Sequence, residues 1–123
     1  MSVNTHIPGL ILGNWQEQVF QPFRDGIEIC TLHDNAQTLS SPNTDAGEQP
    51  AIALLRYQAG ASVPRHRHPG IETIVVLAGS QSDEAGRYDT GSLVINPVGS
   101  EHSVWSEDGC VVLIQWDKPV EFV

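Results

Sequence analysis

Apolar residues in this chain fall into short runs of about four to eight positions, rich in Val and Ile, with no sustained helical periodicity between them. Eleven glycines and eight prolines punctuate the runs. The pattern predicts strands at Ile27 to Leu32, Ala51 to Tyr57, Ile71 to Leu77, Ser92 to Asn96, His102 to Ser106 and Cys110 to Asp117, with a weaker one at Gly79 to Asp83. Glu107-Asp108-Gly109 supplies a tight turn of hairpin type between the last two long runs. The polar stretch Asn35 to Gln49 reads as an exposed loop between strands. Many short strands with turns at regular intervals imply an all-β sandwich or barrel.

Alternation assigns faces. In the run from Cys110 to Asp117, the set Cys110, Val112, Ile114 and Trp116 is wholly apolar, whereas the alternate set contains Gln115 and Asp117, so the first set faces the core. The run from Ile71 to Leu77 is apolar on both faces apart from Glu72 and Thr73. Such a strand needs cover on both sides: barrel interior on one, and a second layer or a second subunit on the other. A homodimer is expected on that ground.

Length and charge narrow the partners. The 123 residues make one compact domain, with enough chain to bury a core without staples. Fifteen acidic residues against six Lys and Arg give a formal net charge of -9. That field repels nucleic-acid backbones and anionic lipid, so neither a nucleic acid nor a membrane surface is an expected partner. Cys30 and Cys110 stand far apart in no metal-type spacing, which suggests buried thiols in a reducing compartment. The amino terminus has no basic region followed by an apolar run, so a cytoplasmic location is expected.

Of five histidines, three stand in a pattern. His66 and His68 are two apart, so on a strand both imidazoles project from one face and can grip one ion. Pro69-Gly70 allows a turn, after which Glu72 can return a carboxylate to the same point. Surface or core histidines remain the plainer reading of an isolated H-x-H. No Ser-His-Asp arrangement, phosphate loop or dinucleotide fingerprint is present.

The wider spacing is Gly60-x5-His66-x-His68-x3-Glu72-x6-Gly79, followed by Gly91-x5-Pro97-x-Gly99-x2-His102-x3-Ser106. These segments, 60–79 and 91–106, resemble the two signature motifs of the cupin superfamily at nine of ten marked positions; Ser106 stands where that pattern has Asn. The resemblance implies an antiparallel jelly-roll barrel holding one divalent metal through His66, His68, Glu72 and His102. Fe(II) and Zn are the foremost ions, with Mn and Ni as further choices, since the donor set does not fix the metal. The four glycines at 60, 79, 91 and 99 would sit at strand-to-strand turns. From Leu54 to Val111 the chain is similar to the cupin domain of ChrR-type anti-sigma factors and of acetylacetone-cleaving dioxygenases, with Thr73 where a second acidic residue is usual after Glu72. Anti-sigma factors of that type also carry a helical zinc domain, which these 123 residues with two cysteines are not expected to include.

Following the inward parity of the ligands, Ile74, Val76, Val104 and Ser106 join Cys110, Val112, Ile114 and Trp116 as a candidate pocket lining for a small apolar ligand. The same residues would form the core of any barrel. Arg56 reads as a partner of Glu28, and Arg65 and Arg67 as a solvated face. The resemblance then implies a dioxygenase-like enzyme acting on a diketone or similar enolisable metabolite. A non-catalytic module sensing metal or metabolite, related to the anti-sigma regulators, is the alternative, and a metal-stabilised structural barrel the plainest reading.

Overall fold

The computed structural model describes residues 4–34 and 50–123; the predicted loop at 35–49 lies outside the described residues. A single 3-10 turn, Asn14–Glu17, precedes ten strands: β1 Gln21–Arg24, β2 Ile27–His33, β3 Ala51–Tyr57, β4 Ser62–Arg67, β5 Glu72–Asp83, β6 Gly86–Asp89, β7 Leu93–Asn96, β8 Glu101–Trp105, β9 Cys110–Trp116 and β10 Glu121–Phe122. All pairings are antiparallel, in the order β1-β2-β3-β9-β5-β8-β4-β10, with β6 and β7 also laid against β5. The sheet curls on itself as an antiparallel jelly roll.

β5 is the pivot of that curl. Its first half lies between β9 and β7, while its second half pairs with β6 and meets β8 at Ser82 opposite Trp105. A strand of 12 residues must bend to serve both walls, and the register against β9 shifts between Val76 and Ala78. A local extra residue of this kind bends and twists a strand. Gly79 completes the bend with φ +72, and a Cβ there would overlap the Gly109 carbonyl oxygen. The expected break at Gly79 is therefore corrected: the runs predicted at Ile71 to Leu77 and Gly79 to Asp83 merge into the one strand Glu72–Asp83, because the glycine permits a bend and a close backbone approach instead of ending the strand.

A second correction concerns the turn at Glu107-Asp108-Gly109. β8 and β9 do not pair with each other; β8 runs beside β4 and β9 lies between β3 and β5. The chain there crosses between the two walls, so its Asp-Gly pair turns a corner without closing a hairpin. Four strands carry no clear sequence signal. β4 (SVPRHR) is charged and contains Pro64, around which its ladder with β8 is interrupted because proline offers no N–H. β1, β6 and β10 are four, four and two residues long.

The inner face of the roll packs Ile27, Ala53, Leu55, Tyr57, Ile74, Val76, Val104, Cys110, Val112 and Ile114 into one core, with Trp116 against it. A second cluster, Leu54, Leu77 and Val111, lies on the outer face of β3, β5 and β9, where Leu10, Trp15 and Phe20 of the amino-terminal segment cover it. The second layer predicted for the two-faced strand is thus supplied by the chain itself. Full burial of Leu54 or Val112 stabilises the fold by roughly 1.5–3 kcal/mol each.

Candidate metal centre and its cavity

The site begins with backbone pairing. His66 on β4 and His102 on β8 are direct cross-strand partners, so their side chains leave the same face side by side. His68 lies one residue beyond β4, clasped by two backbone hydrogen bonds: its N–H donates to the Ser100 carbonyl at 2.9 Å, and Gly99 N–H donates to the His68 carbonyl at 2.8 Å. The three rings form a near-regular triangle, with centroids 5.0, 4.7 and 4.7 Å apart. All three histidines are buried, and their ligand nitrogens lie within 4.8 Å of one another.

Each ring is held from behind. His66 Nδ1 contacts the Pro64 carbonyl at 2.9 Å, His68 Nδ1 the Ser100 carbonyl at 3.1 Å and its hydroxyl at 2.9 Å, and His102 Nδ1 the Asp83 carboxylate at 3.0 Å. Carbonyl and carboxylate oxygens only accept, so Nδ1 is the donor in each ring and the neutral imidazole keeps a bare lone pair on Nε2. His68 Nε2 and His102 Nε2 are buried without any hydrogen-bond partner. An unpaired buried acceptor costs about 1–3 kcal/mol. Converging lone pairs, each oriented by an oxygen on the opposite nitrogen, fit a bound cation; this backing is what metal-ligating histidines ordinarily have.

Burial favours the neutral form of the His66 ring. Burial, foremost, and the other two imidazoles lower the His66 pKa, against a raising contribution from the Pro64 carbonyl. Burial pushes the Asp83 carboxyl up, but hydrogen bonds from Tyr88, His102 and Ala85 N–H outweigh it and leave the group below the ordinary carboxylate range. Glu72 opens β5 beside the triangle, 4% exposed, with Oε1 3.4 Å from His68 Nε2 and accepting Asn96 Nδ2 at 3.1 Å.

A cavity of about 380 Å³ leads inward to His66 and Glu72. Of the residues proposed to line it, Ile74, Val104, Ile114 and Trp116 do so, whereas Val76, Cys110 and Val112 lie in the inner core outside its wall. Ser106, one residue past β8, is fully buried and donates to the Ser80 carbonyl at 2.6 Å, tying the chain there to β5. Their inward parity is that of core residues, and parity alone cannot say how deep the cavity reaches. Sequence reasoning missed Tyr57 and Gln81 on the wall, together with Arg24, Phe23 and Phe122 toward its outer end. Tyr57 had a usable signal, opposite parity to Arg56, whose guanidinium pairs outside with Glu28 at 2.8 Å. Burial holds the Tyr57 phenol well above its usual value. The Cys110 thiol is likewise pushed up by burial to about 11, which makes it an inert core thiol. Arg65 pairs with Glu101 and Glu84, and Arg67 with Glu121, on the exposed side.

A jelly roll with three convergent imidazoles beside an apolar cavity is the arrangement of a cupin domain whose histidines could hold a metal ion. The chain belongs to the ChrR Cupin-like domain family, whose model matches residues 9–118. It is 35% identical over 78 residues to the anti-sigma-E factor ChrR of Cereibacter sphaeroides, a match covering 62% of this chain and 37% of that protein, so the chain spans little more than a third of that relative. The Rhodobacter sphaeroides anti-sigma ChrR, solved in complex with SigE, superposes with a TM-score of 0.67 at 23% identity, over 86% of this chain and 53% of that one. An acetylacetone dioxygenase from Acinetobacter johnsonii gives a TM-score of 0.70 at 17% identity, over 85% and 71% of the respective chains. At these identities the structural likeness is one of fold. No described helix is long and apolar enough to cross a membrane.

Proposed function

We propose that this chain is a divalent-metal cupin that binds a small, largely apolar, enolisable metabolite, of which a diketone is the type, and acts on it as a dioxygenase-like enzyme when the ion is iron. One observation carries the reading: the partnerless Nε2 atoms of His68 and His102 converge with His66, and His66 and Glu72 line a cavity whose wall is mostly aliphatic and aromatic. His66, His68 and His102 would hold the ion, with Glu72 as fourth ligand, steadied by Asn96. Three neutral imidazoles, one carboxylate and a divalent cation sum to a local charge of about +1, which attracts an enolate into a protein that is acidic overall. Fe(II) bound there would supply one-electron chemistry for oxygen-dependent carbon–carbon cleavage; Zn, Mn or Ni would polarise the ligand. The walls, Ile74, Val104 and Ile114 among them, exclude water and position the apolar body.

Anaerobic reconstitution with Fe(II), followed by oxygen uptake across a diketone panel, tests the enzyme reading. Turnover of a diketone is expected; silence with every ion would refute it. The family match over residues 9–118 favours a second reading, a non-catalytic module in which metal or metabolite biases a partner protein. A pull-down yielding a partner whose binding changes with metal loading supports it, and a partner indifferent to metal counts against it. The chain's own amino-terminal segment covers the outer face of β5, which removes the ground given for a homodimer; exposed Leu93 and Ile95 on β7 are what supports one here. Sedimentation as a stable monomer at micromolar concentration would remove it.

A further inference from the structure

The chain has five arginines, and four of them sit in carboxylate ion pairs: Arg56 with Glu28, Arg65 with Glu101 and Glu84, Arg67 with Glu121, and Arg87 with Asp89 and Asp108. Among the described residues, Arg24 makes no such pair, in a protein where acids outnumber bases by fifteen to six. It is also the arginine that lines the cavity. The same side chain borders a wider groove of about 740 Å³, so it stands where the cavity meets the outside.

Its aim is built into β1. Successive residues of a regular strand point to opposite faces, yet Phe23 and Arg24 both line the cavity. The register of β1 against β2 slips between Pro22 and Arg24, and a bulge of this kind re-aims a side chain. The guanidinium lies over the Phe122 ring with its carbon 4.9 Å from the centroid, and that ring is in turn 6.1 Å from the His66 ring. Arg24 therefore stands no farther from the imidazole triangle than those two spans laid end to end. A cation at that separation suits a ligand with a polar group at each end and a short carbon spacer between them.

We propose that Arg24 reads a carboxylate, and that the ligand is an oxo acid: its enolisable carbonyl end lies at the histidines and its carboxylate end meets the guanidinium fork. The inference rests on the metal-centre reading given under the proposed function and adds the ligand's charge. A planar guanidinium pairs with a carboxylate through two parallel hydrogen bonds, which a neutral diketone cannot offer. Arg24 and the centre's own positive charge also explain how an anion enters a protein of net charge -9.

The test uses a matched pair, 4,6-dioxoheptanoate and 2,4-heptanedione, seven-carbon diones that differ by a carboxylate in place of a methyl. Calorimetric titration of the zinc-loaded full chain should show the acid binding roughly tenfold tighter or more, the size of one charge-assisted contact. Arg24→Gln should bring the ratio of affinities close to one, and Arg24→Lys should keep part of it. Equal binding of both compounds by the wild type, or an undiminished ratio in Arg24→Gln, overturns the proposal while leaving the metal-centre reading intact. Binding of neither compound overturns both.

Discussion

Replacing Asp83 with asparagine should weaken metal binding through His102 without touching any imidazole. Asp83 is buried, and its two oxygens are already allotted: Oδ1 accepts from the Tyr88 hydroxyl at 2.8 Å and from Ala85 N–H at 2.8 Å, while Oδ2 faces His102 Nδ1 at 3.0 Å. Asparagine offers one acceptor and one NH2 donor. Two donors pin the acceptor to the Tyr88 side, so the NH2 turns to His102 Nδ1, which can accept only if the ring's proton moves to Nε2. That is the nitrogen needed by the ion. Restoring the binding tautomer breaks the new hydrogen bond or strands buried donors, at about 1–3 kcal/mol. The expected loss is a roughly 10- to 100-fold drop in affinity, in the range found for residues that orient metal ligands. Competition of zinc against a chromophoric chelator measures it, with circular dichroism to show that the variant is folded. A folded Asp83→Asn protein binding zinc within about twofold of wild type would refute the argument.

Three further outcomes are expected. Leu54→Ala, at a fully buried position beneath the amino-terminal cover, should cost about 2–5 kcal/mol; a thermal melt unchanged from wild type would show that the outer cluster contributes little. Gly79→Ala combines positive φ with overlap of the Gly109 carbonyl, and should lower the melting temperature more than Gly86→Ala, whose Cβ meets nothing. The third concerns acid. Burial lowers the His66 pKa below the unfolded value of about 6.5, so the stability tied to the neutral ring is present above that value and is lost as pH falls toward the folded one. Metal binding also requires neutral imidazoles, so zinc affinity should fall in the same direction; affinity that stays constant from pH 7.5 to about 5.5 would contradict this.

The long strands and two of the histidines were legible because each has a local signature: alternation for β9, a two-residue spacing for His66 and His68; His102 was legible only through the resemblance of its segment to the second cupin motif. β4 was not legible, although it carries His66, since proline and arginines mask its alternation and its partner β8 lies far along the chain. Asp83, Asn96 and Ser100 escaped for a similar reason. Each is an ordinary polar residue until the roll closes and sets it behind an imidazole or beside Glu72. Arg24 is a sharper case, because a bulge overrides the period on which face assignment depends. Gly79 misled in the opposite direction: the same conformational freedom that ends many strands here lets one strand serve both walls.

β5 acts as a ruler for the centre. It begins at Glu72, beside His68, and ends at Asp83, behind His102, so one uninterrupted stretch of backbone fixes the offset between the two carboxylates. A residue inserted into its regular stretches, away from the register shift between Val76 and Ala78, would send everything on one side of it to the opposite face. Changes of length are therefore better borne just past its end, at the Glu84-Ala85 turn, and grafting the site onto another roll would mean transplanting this strand whole.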